Sequence, residues 1–545
     1  MKDRPGVILV AAALLCFALF AVGGPVVWAG ASALRETNLF APLKTDPGQI
    51  VSNTPSETFE LHFFSWSLTL QTIATALGIG LCSTVLGWPL AWLLRMRGWR
   101  FLPLVATPLL LPNYLAFGAY NLLRAPGTIL GDWLERAARG DSGWIPVFAG
   151  KALAAASLSL WAAPLAGITL SIWLARIETS TLEQLTLDSP GKAKWFLERV
   201  RLGAPGILAA ITIVTLLMLG SVIPLHVARL ETLTIRVWLA MDLLPQDRQW
   251  RAWITAWPML LFALIGAWLF WRLSWRDRPD VELRTDVRPE SVRGHSLLGA
   301  IGIFALGALV PLGLFAVHLA SAGGLLGFVR IYADQLINSA EIATSTGVAA
   351  VLLMLAAWIG MLSGPFSRRL VRLSLFVFAF GALAPGIMIG VWLAAFVRRV
   401  YPALEDSAAI LAIAHLVRFG IVPIALGCWL ASGEAREQTD QRRLDGATGV
   451  LGLLKAAIAG NWAALGAGGA IVAILSFHEI ECSIELQPPG VDTFARAILN
   501  QLHFARTQEL SAAGLILLGV GLVIGGVTLW FLSRSARFSR PNPPS

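Results

Sequence analysis

Charge is scarce in this chain. Asp, Glu, Lys and Arg make up 14% of the 545 residues, hydrophobic residues make up 56%, and the mean hydropathy is +0.69. A soluble globular domain carries far more charge than that. Cysteine is scarcer still: Cys16, Cys82, Cys428 and Cys482 form neither a close pair nor a metal-ligand spacing, so neither a disulfide framework nor a zinc site is indicated. No Gly-x-x-x-x-Gly-Lys followed by Ser or Thr occurs, so the chain has no phosphate-cradling loop of that type. The seven histidines fit no metalloprotease or deaminase pattern, and His318 and His415, in or near apolar runs, read as packed or hydrogen-bonded. Basic residues nowhere crowd a soluble face, which speaks against a nucleic-acid partner.

What the chain has in abundance is long apolar runs. A bilayer core about 30 Å thick takes roughly 20 apolar residues per helix. Runs of that order occupy Gly6–Ala29, Trp66–Leu94, Phe101–Leu123, Ile145–Leu174, Pro205–Val227, Ile254–Phe270, Leu297–Leu319, Ile342–Leu362, Leu373–Phe396, Ala408–Leu430, Trp462–Phe477 and Ala512–Phe531. The expected fold is therefore an all-α integral membrane protein of about twelve transmembrane helices in contact with the lipid bilayer. Pro108, Pro112, Pro385 and Gly386 interrupt two of the runs without ending them, because neighbouring helices can satisfy the freed backbone groups. The first run follows Lys2 and Arg4 and precedes Ala31-Ser32-Ala33, as a secretory signal would, but it is longer than a signal core. It reads as an uncleaved span. Glycine groups such as Gly466-Ala467-Gly468-Gly469, Gly386 with Gly390, and Gly521 with Gly525 suit close helix packing.

Lys and Arg favour the cytoplasmic side of span ends, and with both termini cytoplasmic the inner segments take the larger share of the 42 basic residues. The net charge of +9 is then a topology signal. Residues 275–296, rich in Arg, Asp and Glu and carrying Pro279 and Pro289, read as a cytoplasmic linker. They separate two halves, 1–274 and 297–545, each with six runs and one orientation, an arrangement of parallel repeats found in transporters. Outer segments after the fifth run of each half share a pattern, Glu231-Thr232-Leu233-Thr234-Ile235-Arg236 in one and Asp492-Thr493-Phe494-Ala495-Arg496 in the other.

Two polar stretches, Ile177–Arg201 and Gly433–Lys455, occupy equivalent inner positions. Each mixes charge with helical apolar spacing; in the second, Leu444, Ala447, Leu451 and Leu454 form one stripe. Asp440 is followed six residues on by Gly446; Glu183 is followed by Ser189 at that distance, with Gly191 two residues later. These stretches resemble the cytoplasmic signature of permease subunits of ABC importers, in which Glu-Ala-Ala precedes a glycine at that spacing. Glu485-Leu486-Gln487-Pro488-Pro489-Gly490-Val491-Asp492-Thr493, then Leu502-His503-Phe504 and Glu509-Leu510-Ser511-Ala512-Ala513, is similar to the fused, double-length permeases of the ferric-iron importer type, as is Ala414-His415-Leu416-Val417-Arg418-Phe419. Relatives of that plan carry thiamine or polyamines.

The resemblance implies a permease subunit in a bacterial inner (plasma) membrane that forms a solute path, for ferric iron or a similar small solute, without being an enzyme itself. It implies two ABC ATPase subunits using ATP and Mg at the polar stretches, with Glu183, Ser189, Gly191, Asp440, Gly446 and Leu451 as docking residues. It implies a periplasmic or extracellular solute-binding protein outside, and no cofactor in this chain. For Arg418, a charge inside a run, structural pairing and pathway lining are both open. Glu479, Glu481 and Glu485, with Pro488, Pro489, Gly490 and Asp492 beside them, read as pathway or outer mouth; carboxylates suit a hard cation. The alternatives are a twelve-helix secondary transporter, although Arg95-Met96-Arg97-Gly98-Trp99-Arg100 lacks the Asp-Arg pattern common in the major facilitator group, and a membrane-embedded transferase.

Overall fold

A computed structural model describes residues 5–36, 65–98, 101–139, 143–188, 191–243, 255–274, 295–319, 324–434, 436–486, 488–503 and 506–534. They contain helices and no strand. In chain order the helices used below are α1 (Pro5–Ala31), α2 (Trp66–Arg97), the bent pair α3 (Leu102–Leu110) and α4 (Asn113–Arg124), and α5 (Trp144–Leu174). Then come the short α6 (Thr179–Asp188), α7 (Lys192–Gly220), α8 (Trp257–Ser274) and α9 (Ser296–Leu319). The C-terminal half continues with α10 (Ala333–Leu362), the bent pairs α11 (Pro365–Leu383) with α12 (Gly386–Val400) and α13 (Ala409–Phe419) with α14 (Ile421–Ser432), and the short α15 (Arg436–Leu444). It ends with α16 (Val450–Phe477), α17 (Phe494–His503) and α18 (Thr507–Arg534).

Eight of these helices are long and apolar enough to cross a membrane, and there are up to eleven crossing segments if each bent pair is one. The chain is thus a multi-span helical protein by length and composition. Twelve runs were expected from the sequence; the difference lies at Trp257–Arg272, which forms only a shorter apolar helix. Residues 275–294 of the expected linker lie outside the described residues. Helix ends follow local chemistry: α2 opens at Ser65, whose hydroxyl accepts from the Leu68 N–H (3.4 Å), and closes at Gly98 with φ 77°. Pro205, where the fifth apolar run begins, does not open a helix but lies inside α7.

In the N-terminal half, α2, α5 and α7 pack on one another; in the C-terminal half, α10, the α13–α14 pair and α16 do so. With lipid on the outside there is no hydrophobic force between such helices, and close backbone approach does the work. A Cβ on Gly87 of α2 would stand 2.7 Å from the Ala163 carbonyl oxygen and the Gly167 nitrogen of α5, and one on Gly347 of α10 would stand 2.9 Å from the Gly469 carbonyl of α16. Of the expected packing glycines, Gly521 and Gly525 lie against Leu110 and Gly466 against the Phe531 ring, whereas Gly386 and Gly390 face the non-helical turn that carries Glu481 and Cys482.

The two halves exchange their first helices. Helix α1 lies against α10 and α11, while α9 lies against α2 and α4. Likewise α8 packs on α11, and α18 packs on α3, α4 and α9.

Candidate functional site

Polar side chains at membrane depth are costly and cluster where helices break. Helices α3 and α4 meet at 75° and α11 and α12 at 114°. The physical cause is the same in both: Pro112 and Pro385 are extended (φ −56°, ψ 144° and 128°) and each begins a new helix at the next residue. A proline also frees the carbonyls ahead of it. The Leu111 carbonyl accepts from the Trp161 indole N–H of α5 (2.7 Å), and the Ala384 carbonyl accepts from Arg418 Nη1 of α13.

Arg418 therefore occupies, in the C-terminal half, the capping role that a neutral indole performs in the N-terminal half. Its second nitrogen, Nη2, donates to Glu481 Oε2 at 3.2 Å. Both residues are buried, at 8% and 7% exposure. The other carboxylate oxygen reaches across to the N-terminal half: Oε1 accepts from the Val222 N–H (2.7 Å), the Ile223 N–H (3.4 Å) and the Ser221 hydroxyl (3.4 Å). Asn113, the first residue of α4, donates to Ser221 Oγ (3.2 Å). One carboxylate thus joins the end of α7, the break before α12 and helix α13.

One turn before Arg418, His415 lies buried between Ser476 Oγ (2.7 Å from Nδ1) and Ser483 Oγ (2.9 Å from Nε2). The Ser476 hydroxyl also contacts Thr346 Oγ1 (3.2 Å), which links α10, α16 and α13. Sequence placed His415 as a packed or bonded histidine, and the geometry is of that kind. These hydroxyl partners carried no signal of their own in the sequence.

The remaining acidic residues divide. Glu479, half-buried, accepts from the Cys482 N–H (3.0 Å) and so closes the turn that presents Glu481. Glu485 is half-buried beside Gly390. Pro488 is buried; Pro489, Gly490 and Asp492 are exposed. Gly490 has φ 79°, and the Asp492 carbonyl accepts from Asn338 Nδ2 (3.1 Å). Among the described residues no three His, Cys, Asp or Glu side chains converge as metal ligands.

Several details occur twice. Helices α1 and α9 each contain a wide π-helical turn, Leu19–Gly23 and Ala305–Leu309. The Leu233 N–H donates to Thr72 Oγ1 of α2, and the Phe494 N–H to Ser339 Oγ of α10, both at 2.8 Å. Arg229 (φ 54°) and Gly490 (φ 79°), each three residues before the threonine of the Glu231-Thr232 or Asp492-Thr493 pair, are both left-handed.

The polar stretches form short helices ahead of long ones. In the first, Glu183 lies on α6; Ser189 lies outside the described residues; Gly191 is exposed and extended at the start of α7. Leu182 is buried against Ala91, Trp92, Leu170 and Leu174, and Arg95 Nη2 donates to the Ile177 carbonyl (2.8 Å). Leu187 is 84% exposed. In the second stretch, Arg442 is buried on Glu434 (3.1 Å), which pins α15 to the end of α14. Asp440 is exposed and pairs with Arg443 (3.2 Å). Gly446 has φ 69°; its N–H donates to the Arg443 carbonyl (3.1 Å) and the next N–H, of Ala447, to that of Arg442 (3.0 Å). Leu444 and Leu451, at 89% and 66% exposure, flank this turn.

The chain matches no protein family, and neither a curated protein nor a solved structure is similar to it.

Proposed function

We propose that this chain is the permease subunit of an ATP-driven importer of the ABC type, in which two parallel six-span repeats enclose one solute path. The observation that carries the reading is the twin arrangement of α6 and α15. Each is a short polar helix pinned by a buried contact to the spans before it, and each is followed directly by a long span. Each also offers large apolar side chains, Leu187 in one case and Leu444 with Leu451 in the other. A rigid short helix with exposed leucines, tied to span ends, transmits a partner's movement as helix tilt. The sequence has no phosphate-cradling motif of its own, so the energy source is assigned to two separate ATPase subunits, which would use ATP and Mg.

The doubled π-helical turns, proline breaks and amide-to-hydroxyl bonds support the repeat. Broken helices at the junction of repeats are where transporters hold their path, and here Asn113, Ser221, Glu481 and Arg418 meet at such breaks. By resemblance, the cargo is ferric iron or a similar small solute delivered by an outer binding protein, in a bacterial inner membrane with both termini cytoplasmic.

The test is reconstitution with a candidate ATPase and binding protein in vesicles. ATP-dependent uptake is expected. Uptake abolished by an uncoupler yet indifferent to ATP removal would instead make the chain a secondary transporter. Loss of a chemical turnover in Glu479→Ala and Glu481→Ala, with no transport to measure, would make it a transferase.

A further inference from the structure

Glu481 belongs to the C-terminal half by chain but holds the backbone of the N-terminal half. Its Oε1 takes the Val222 and Ile223 N–H groups, while its Oε2 takes Arg418, which also caps the Ala384 carbonyl. Every group in this set is buried. Parting the halves at this level strands the Val222 and Ile223 amides and strips Glu481 Oε1 of its donors, while the Arg418–Glu481 pair and the Ala384 bond stay whole within the C-terminal half. A buried amide or carboxylate oxygen is expensive to leave without a partner in an apolar interior. Water can replace all of the lost bonds, and an open path supplies water. The junction therefore has two tolerable states, sealed with its bonds made or opened and hydrated, and an intermediate dry gap is disfavoured.

We propose that Glu481 is the closing residue of the path: a carboxylate that seals one half against the other through Val222 and Ile223 and is released to water when the path opens. Arg418 positions it and neutralises it in the sealed state. Among the described residues, Trp161 caps the Leu111 carbonyl at the break where Arg418 caps Ala384, so the charged seal is one-sided and depends on Glu481. This rests on the transporter reading of the chain.

The neighbouring thiol reports the seal directly. Cys482 is fully buried, with its sulfur 3.5 Å from the Cβ position of Gly386 and its carbonyl 2.8 Å from that of Gly390. In a chain with Cys16, Cys82 and Cys428 replaced by Ser, reconstituted alone in nanodiscs, the rate of Cys482 modification by a charged maleimide is measured. The seal predicts slow labelling in the parent, a several-fold rise in Glu481→Gln, which keeps an acceptor but not the charge, and at least a tenfold rise in Glu481→Ala. In Arg418→Met/Glu481→Met the charges are gone but the Val222 and Ile223 amides still lack their acceptor, so labelling stays high. A return to the parent rate in that double variant would overturn the proposal, as would an unchanged rate in Glu481→Gln, the mildest change. The readout needs no ATPase and no cargo: the labelling pattern with no ATP-driven uptake would remove the importer reading and leave the seal standing.

Discussion

Replacing Gly446 tests whether the α15 turn acts through its shape. At φ 69° the residue sits in the left-handed region, and a Cβ added there meets nothing within 4 Å. Any effect of a substitution is therefore a backbone effect. An ordinary L-residue pays about 1–2 kcal/mol in that region. Proline fixes φ near −65°, opposite in sign, and removes the N–H that donates to Arg443, which costs about 3 kcal/mol or more. If the ATPase recognises this turn, the fraction of chains holding it scales the apparent affinity. At about 1.4 kcal/mol per tenfold, Gly446→Ala should weaken ATPase binding by roughly 5- to 30-fold and Gly446→Pro by more than about 100-fold. Gly446→Asn, which tolerates the left-handed region, should stay within about threefold. The assay is titration of the detergent-solubilised chain with the ATPase, alongside thermal unfolding to establish that the spans remain packed. Binding by Gly446→Pro at the parent level, or Asn as damaging as Pro, would refute the reasoning.

Other outcomes follow from the same contacts. Leu444→Asp and Leu451→Asp, at exposed positions, should reduce ATPase copurification while leaving the melting temperature unchanged, because neither side chain is part of the packed interior. Gly87→Ala places a methyl 2.7 Å from backbone atoms of α5 and should lower stability by about 1–3 kcal/mol, read as earlier thermal unfolding. Thr72→Val and Ser339→Ala each leave a buried amide, Leu233 or Phe494, without its acceptor; a loss of about 1–3 kcal/mol is expected, with Thr72→Ser close to the parent.

The sequence disclosed what is periodic and local. The apolar runs marked up to eleven crossing segments of the twelve expected, and Pro112 and Pro385 marked two of the three bent pairs, because a proline's lost N–H is felt within its own helix. The angles of 75° and 114° were not legible, since a break permits a bend without setting its direction. Arg418 stood out as a charge in a run, but its partner lies 63 residues away, and the amides that share that partner lie 258 and 259 residues from it. No periodicity carries such a pairing. Glu481 was grouped with Glu479 and Glu485 by sequence proximity; a non-helical turn points consecutive side chains in different directions, and only Glu481 is both buried and paired with Arg418. In the polar stretches, the single helical stripe expected through Leu444, Ala447, Leu451 and Leu454 is broken by the non-helical turn at 445–449, and the buried Arg442–Glu434 pin was not legible, because charge in a loop reads as solvated until the fold closes over it.

The exchanged first helices have a consequence in time. Helix α1 leaves the ribosome well before the surfaces it lies against, α10 and α11, which are built from residues 333–383. Until then its packing face can meet only lipid or a temporary companion. Assembly order is thus the reverse of synthesis order at this helix: a segment made before α10 and α11 finds its place only after them, and a chain interrupted before α11 would leave it waiting.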